Sequence, residues 1–386
     1  MTGRDRSVAI IHHQLGPYHR ARARAFERTY PGKAHFIQLA SHEALRDWRA
    51  EDPLAEVHTV AHGTLERLSG RELGVALEKL LNRLTPGTVV IPGYSHPMTR
   101  VAARWCRRNH AASVLLADSH HLDHPRSKWK ELLKRTWVRS HFDAAFTAGS
   151  VSASYLQTLG IPHSRMWRGC DVVDNEFFSM RAAFARQRGP VLREELGLPE
   201  RYFLYVGRFS AEKNLFRLLD ALNTYHRSCG AEAWGLVMVG AGPMQKEISR
   251  RVSALRRKDV IVSPFRQADE LSSYYAFASA LVLPSVSEPW GLVVNEAMAS
   301  GLPILASERC GCVMELVFPG INGYIFDPLR VENLVEVMER ITSSKVDRLT
   351  MGAASVRIVG NFTPETWATS LADCIAVTLE RKRRSI

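Results

Sequence analysis

The chain has 386 residues, enough for two domains of ordinary size with a core each. Hydrophobic residues make up 46% and no low-complexity tract interrupts them, which excludes a disordered or fibrous protein. No apolar run reaches the roughly 20 residues of a membrane-spanning helix, and Lys plus Arg outnumber Asp plus Glu by 51 to 39, a net charge of +12.

The positive charge is uneven. Residues 1–180 hold 25 basic and 17 acidic side chains and 14 of the 15 histidines; the remainder holds 26 and 22. The first half is therefore expected to face something anionic: nucleic acid, a membrane surface or a phosphorylated substrate. Six cysteines are scattered through both halves without metal-type spacing, as expected of reduced thiols in a cytosolic protein.

In chain order, the polar start MTGRDRS leads straight into VAIIH, which reads as a first strand and not as a signal peptide. Further strands are expected at Ala34–Leu39, Thr88–Ile91, Ser113–Ala117 and Ala144–Thr147, with helices such as Glu66–Leu84 and Thr99–Asn109 between them. A second series follows at Tyr202–Val206, Gly235–Val239, Val260–Val262, Leu281–Leu283 and Ile304–Ala306. Strands alternating with helices imply parallel sheets covered on both faces. The charged, Gly- and Pro-containing stretch 181–200 is expected to be a linker. The domains are then residues 1–185 and 186–386, with a C-terminal helix over about 363–382 packing back on the first domain. The expected fold class is α/β: two doubly wound Rossmann-like domains facing a cleft, with ligands at the carboxyl ends of the strands.

Four segments carry candidate chemistry. The first, His12–His19, follows the first strand. Gly16 there permits close backbone approach, and His19, Arg20, Arg22 and Arg24 either read an anionic acceptor or form a solvated helix face. In the second, Asp118–Arg126, residues Asp118, Asp123 and Arg126 are candidates for acceptor hydroxyls or phosphates; turn and capping roles are the alternative. The third, Trp129–Trp137, spaces apolar residues helically among Lys128, Lys130, Lys134, Arg135 and Arg139. Packing on the protein's own core is the expectation there, and an anionic membrane the alternative.

The fourth segment is SEPWGLVVNEAMASGLP, Ser287 to Pro303. A helix from about Leu292 to Ser300 places Glu288 in the loop before it and Glu296 roughly one turn inside it. Free N–H groups at Gly291, Leu292 and Val293 form an anion site, and the carboxylates suit sugar hydroxyls. Arg208 and Lys213 flank the loop after Tyr202–Val206, where fixed cations would hold a diphosphate. Both Glu288 and Lys213 are placed on rim loops, so the fold is expected to survive their removal. A glycine turn, Val239–Pro243, is by itself a weak signal.

GRFSAEKN, VGAGPM, ELSSYYAFASALVLPS, SEPWGLVVNEAMASGLPI and ELVFPGINGYIFDP together resemble, in order and approximate spacing, the C-terminal domain of the family-4 retaining glycosyltransferases, which have the GT-B fold. The resemblance runs from about Tyr202 to Pro328. Over the first 180 residues it is limited to the strand pattern and a glycine-bearing loop lacking the usual paired glycines. It implies that Arg208 and Lys213 clamp the donor diphosphate, that Glu288, the first glutamate of an E-x7-E pair, contacts the donor sugar, and that Glu296 holds the ribose. Trp290 and Gly291 would face the sugar, Leu292 and Val293 the phosphates, and Phe265 and Arg266 the base. His120 or His121 matches a family histidine near the donor sugar, and Gly16 matches the glycine loop. Phe is commoner than Trp at position 290, which implies a differently shaped sugar pocket. No Asp-x-Asp motif is evident, so no metal and no cofactor are expected.

These features predict a retaining glycosyltransferase, cytoplasmic or peripheral on the inner face of the membrane. Its partners would be a nucleoside diphosphate sugar and a glycan or lipid-linked acceptor. Another GT-B reaction (sugar-nucleotide hydrolysis, epimerisation or phosphorolysis) is one alternative, which product analysis with and without acceptor separates. A non-enzymatic basic nucleic-acid-binding protein is the other. The acidic, glycine-rich motifs and the lack of a basic-aromatic strand platform speak against it, and nucleic acid is not an expected partner.

Overall fold

The computed structural model describes residues 7–43, 57–123 and 126–384. The polar lead-in read at residues 1–6 and the His124–Pro125 part of the Asp118–Arg126 segment lie outside the described residues. The chain forms two compact units. The first takes in the described residues within 1–121, 125–173 and 362–386; the second takes in those within 122–124 and 174–361.

In the first unit, strands β1 (Ser7–His12), β2 (Lys33–His42), β3 (Val57–Thr64), β4 (Thr88–Pro92), β5 (Ala112–Ala117), β6 (Ala144–Thr147) and β7 (Met166–Arg168) form one parallel sheet in the order β3-β2-β1-β4-β5-β6-β7. Helices α1 (Pro17–Thr29), α2 (Gly70–Leu84), α3 (Pro97–Arg108), α4 (Lys128–His141) and α5 (Ser150–Thr158) make the connections. β3 and β7 escape the sequence pattern because both are edge strands without a fully buried residue. α2 begins at Gly70, not Glu66. Ser69 caps it by accepting from the Glu72 N–H, and Leu65–Arg67 is a separate 3₁₀ turn.

The second unit opens with α6 (Asn175–Glu195). The stretch expected to be a linker is therefore helical through Glu195, with a kink where Gly189 takes φ +60 ahead of Pro190. Arg186 secures it by donating to the carbonyl oxygens of Ala276 and Ser300. Then come β8 (Tyr202–Val206), α7 (Leu215–Cys229), β9 (Gly235–Val239), α8 (Gln245–Leu255), β10 (Val260–Ser263), α9 (Ala268–Phe277), β11 (Ala280–Leu283), α10 (Leu292–Ala299), β12 (Ile304–Ser307), α11 (Val313–Leu316), β13 (Gly323–Phe326), α12 (Val331–Thr342) and α13 (Arg348–Val359). The sheet is parallel, in the order β10-β9-β8-β11-β12-β13. α14 (Pro364–Arg384) belongs to the first unit. Its Trp367 is buried with ring centroids 6.0 Å from both Phe26 of α1 and Phe146 of β6.

In each unit the first strand of the sheet sits inside it, and successive connections run to opposite sides: β2 and β4 flank β1, and β9 and β11 flank β8. Such a reversal leaves a crevice beyond the carboxyl ends of the two diverging strands.

α4 departs from expectation. Of the apolar residues in Trp129–Trp137, Trp137 packs against the core as expected, but the Trp129, Leu132 and Leu133 stripe does not cover the sheet; these three are 78%, 54% and 71% exposed. Val138 and Glu131 set the inward side instead, and the stripe lies on the opposite face of the helix. Among the described residues no helix is long and apolar enough to cross a membrane.

Candidate active site

The site grows from the carboxyl ends of β8 and β11. β8 is wholly buried and ends at Val206; Gly207 and Arg208 follow, then a 3₁₀ turn at Ala211–Lys213. Asn214 closes that turn in the left-handed region at φ +58. Its buried amide donates to the Pro284 carbonyl at 3.0 Å and the Pro328 carbonyl at 2.8 Å, so one side chain ties together the loops after β8, β11 and β13. The Val286 N–H, donating to the Glu212 carbonyl at 2.8 Å, adds a second tie.

These ties bring Lys213 to Glu288. Their side chains form an ion pair while only 17% and 12% exposed, and Ser285 Oγ donates to the same carboxylate oxygen at 3.1 Å. Glu288 is thus not a solvated rim residue. Its backbone bridges to Cys310, and Gly311 N–H donates to its carbonyl at 2.9 Å. Burial, with the Glu288 charge beside them, raises the Tyr205 phenol and the Cys310 and Cys312 thiols, which stay neutral around the carboxylate. At Glu212 burial pushes the carboxyl up, but the hydrogen bond from Ser210 and the nearby Lys213 and Arg208 outweigh it, and its pKa lies below the usual range. Arg208, half-buried, has its carbonyl held by the Tyr205 hydroxyl at 2.9 Å.

Gly291 begins α10 at φ +104. A Cβ there would lie 3.1 Å from Leu283 and 3.4 Å from the Glu288 side chain, so both backbone sign and space require glycine. Leu292 and Val293, half-buried, present the first N–H groups of the helix. Glu296, one turn in, is buried and accepts from the Tyr275 hydroxyl at 2.8 Å. Trp290 is buried, and its indole Nε1 donates to Asn295 Oδ1 at 3.0 Å. Phe265, half exposed, and Arg266, paired with Glu270 at 3.1 Å, sit together after β10. The glycine turn after β9 has a packing role. A Cβ on Gly240 would lie 1.9 Å from the Gly207 carbonyl oxygen, so the loops after β8 and β9 can only meet through glycine.

The first-unit candidates divide differently. Gly16 has an ordinary φ of −83, and its N–H donates to His19 Nδ1 at 3.2 Å, so His19 caps α1. Arg20 is half-buried. Arg22, expected on an acceptor or solvated face, is buried and donates to the Val172 carbonyl at 2.7 Å. Asp118 and His121 are exposed, whereas His120 is buried. Arg126 turns inward, donating to the His120 carbonyl and lying 3.9 Å from the Tyr155 ring. Leu122 and Asp123 fall with the second unit, where Ser287 Oγ donates to the Asp123 carbonyl at 2.7 Å.

Tyr205 lies outside the quoted segments, and Tyr275, Ser285 and Asn295 lie within them with no role assigned; each is recognised by what it holds. Asn214 had a sequence signal, as the residue that ends GRFSAEKN and begins a helix.

Residues 191–356 match the sequence model of the family Glycosyl transferases group 1. The chain is 29% identical over 212 residues to the sulfoquinovosyl transferase SQD2 of Arabidopsis thaliana, covering 54% of this chain and 37% of that protein. It is 27% identical over 222 residues to the alpha-D-kanosaminyltransferase of Streptomyces kanamyceticus, covering 56% and 54%. The chain therefore spans about a third to a half of the length of the curated relatives it matches. Among solved structures, sucrose-phosphate synthase from Thermosynechococcus elongatus superposes with a TM-score of 0.75 at 18% identity, over 98% of this chain and 99% of that one. The fold is GT-B. Anabaena HepE in complex with UDP and glucose shares it, with a TM-score of 0.72 at 16% identity over 96% and 99% of the two chains. The group 1 match spans every residue of the rim described above, from Arg208 through Glu296, within this GT-B frame.

Proposed function

We propose that the chain is a retaining glycosyltransferase, which moves a sugar from a nucleoside diphosphate to an acceptor hydroxyl. The observation that carries this reading is the convergence of Lys213, Glu288 and the Gly291 helix start at the reversal between β8 and β11. Arg208 and Lys213 hold the diphosphate, aided by the N–H groups of Leu292 and Val293. Glu288 accepts from hydroxyls of the donor sugar, against the backbone of Trp290 and Gly291, and Glu296 accepts from the ribose. Phe265 and Arg266 border the base. Gly16 and either His120 or His121 complete the donor side; His19, Arg20, Asp118, Asp123 and Arg126 are the acceptor-side set.

In the resting site Lys213 is paired with Glu288. An arriving diphosphate competes for the ammonium and leaves a carboxylate oxygen open to the sugar. The acceptor oxygen attacks the anomeric carbon from the face of the leaving group, the carbon–phosphate oxygen bond breaks, and the acceptor proton passes to a phosphate oxygen. Fixed charges stabilise the departing diphosphate, so a divalent ion is not required. The acceptor is a glycan or lipid-linked molecule, and the protein is cytoplasmic or peripheral on the inner membrane face.

The test is a thermal-shift screen of sugar nucleotides, uridine nucleotides first because the Anabaena neighbour holds UDP. Product analysis with and without acceptor follows. Transfer with retained anomeric configuration supports the reading. Free sugar or an epimer formed equally without acceptor supports the hydrolase or epimerase alternative, and sugar phosphate formation the phosphorylase.

A further inference from the structure

We propose that the outward face of α4 is a docking surface for an anionic membrane. This deepens the membrane element of the reading above. It does not depend on the transferase chemistry, because docking needs neither donor nor acceptor.

Trp129, Leu132 and Leu133 fall at the i, i+3, i+4 spacing of one helix face, and all three are more than half exposed. A tryptophan with two leucines side by side in water is a costly surface to maintain unless something covers it. The flanks of the stripe say what covers it. On the helical wheel Lys128 and Arg135 lie on one side and Lys130 on the other, and all three are exposed. The Arg135 and Arg139 stems pass within 3.6 Å of where a Cβ on Gly160 would sit, so their aliphatic parts are packed while their charges remain outward.

Glu131 is the one acidic residue in Lys128–His141. It does not dilute this charge, because it faces inward. It pairs with Lys134 at 2.8 Å and with Arg126 at 3.6 Å, and accepts from the Tyr155 hydroxyl at 2.7 Å. The Lys134 and Arg126 neighbours and the Tyr155 hydrogen bond overcome the upward push of burial and keep the Glu131 carboxyl below its usual pKa. Over its first two turns the outer face is therefore apolar at its centre and cationic at its edges, and exposed Thr136 and Ser140 continue it as a polar face. That pattern fits the interface of a bilayer bearing acidic headgroups: tryptophan and leucine enter the boundary, and lysine and arginine meet the phosphates. A protein partner would instead have to present an apolar centre ringed by acids.

The measurement is co-sedimentation of the full chain with vesicles of phosphatidylcholine alone, and with vesicles doped with phosphatidylglycerol, across a salt series. Two variants are compared. One combines Trp129→Ser, Leu132→Ser and Leu133→Ser; the other combines Lys128→Gln, Lys130→Gln and Arg135→Gln. Lys134 is left intact because it holds Glu131. Both variants change exposed side chains only, and matching thermal midpoints confirm the fold. The wild type should bind doped vesicles and lose binding as salt rises. The basic triple should bind about a hundredfold more weakly, from about fivefold per lost surface cation, and the apolar triple at least about tenfold more weakly. Equal binding by wild type and both variants, or no preference of the wild type for phosphatidylglycerol, overturns the proposal. A wild-type dimer in light scattering that the apolar triple dissociates, with vesicle binding unchanged, also overturns it and makes α4 a self-association face.

Discussion

Replacing Lys213 by Ala takes the ammonium from the buried Glu288 carboxylate, which lies beside Ser285 and near Tyr205, Cys310 and Cys312, whose burial keeps them neutral. Removing one member of a buried pair costs about 3–5 kcal/mol when solvent is excluded. With side-chain exposures of 17% and 12%, water reaches this pair in part, so about 2–3 kcal/mol is expected. The position on rim loops suggested no such penalty; burial imposes it. Combining Lys213→Ala with Glu288→Gln removes both charges and should recover most of the lost stability, a coupling that a double-mutant cycle isolates. Turnover behaves differently. Each single variant and the double should lose at least about a hundredfold, because the diphosphate loses a cation and the sugar loses an acceptor. Urea and thermal midpoints of the four proteins are compared directly, since a chain of two units need not unfold in one step. A double variant no more stable than Lys213→Ala, or one that retains turnover, would refute both the pairing energetics and the assignment.

Glu296→Gln should raise the donor KM with little change in kcat, because a ribose contact is the same before and during bond breaking; Tyr275→Phe, which removes the hydroxyl at 2.8 Å, should do so more weakly, and a kcat loss with unchanged donor affinity would give Glu296 another role. Activity should persist in excess EDTA; complete loss restored by a divalent ion would show that Arg208, Lys213 and the α10 start do not suffice. Trp290→Phe should lower the melting midpoint, as loss of the indole N–H leaves buried Asn295 Oδ1 unpaired at a cost of about 1–3 kcal/mol, and adding Asn295→Leu should restore it. Burial, then Arg22 and His13, lowers the His12 pKa from 6.5 to about 3, so the folded state holds it neutral where the unfolded chain takes up a proton. Stability should fall as pH drops from 6.5 toward 3, by about 2 kcal/mol at pH 5, and His12→Asn should flatten that slope in acid unfolding titrations.

The second unit was legible in the sequence because its chemistry is written locally. The interval from Glu288 to Glu296, the glycine that starts α10 and the cations after β8 lie in short segments whose strand-to-helix context fixes their placement. β13 was missed because Gly323–Phe326 is a four-residue edge strand, held in register with β12 by pairing and not by an alternating pattern of its own. The stretch 181–200 was misread because Gly189 and Pro190 look like a break. In α6 they only kink a helix, which Arg186 fastens through two backbone carbonyls distant in sequence. No local rule anticipates such a partner.

In the first unit the signal was composition, and composition does not say which way a side chain points. Of the basic residues after β1, Arg22 serves a buried carbonyl and His19 a helix cap, while α4 directs its apolar stripe outward because Glu131 and Val138 claim the inward side. One sequence property, a surplus of positive charge, thus divides into interior ties and an outward cationic rim. The division follows from hydrogen-bond partners far apart in the chain: Arg22 with Val172, Arg126 with Tyr155, and Lys382 of α14 with Asp143 at 2.7 Å. A charge that finds a buried acceptor is consumed by the fold. In α4 the exposed Lys128, Lys130 and Arg135 remain at the surface, and that is why the vesicle assay is aimed at them and not at Arg22 or Lys134.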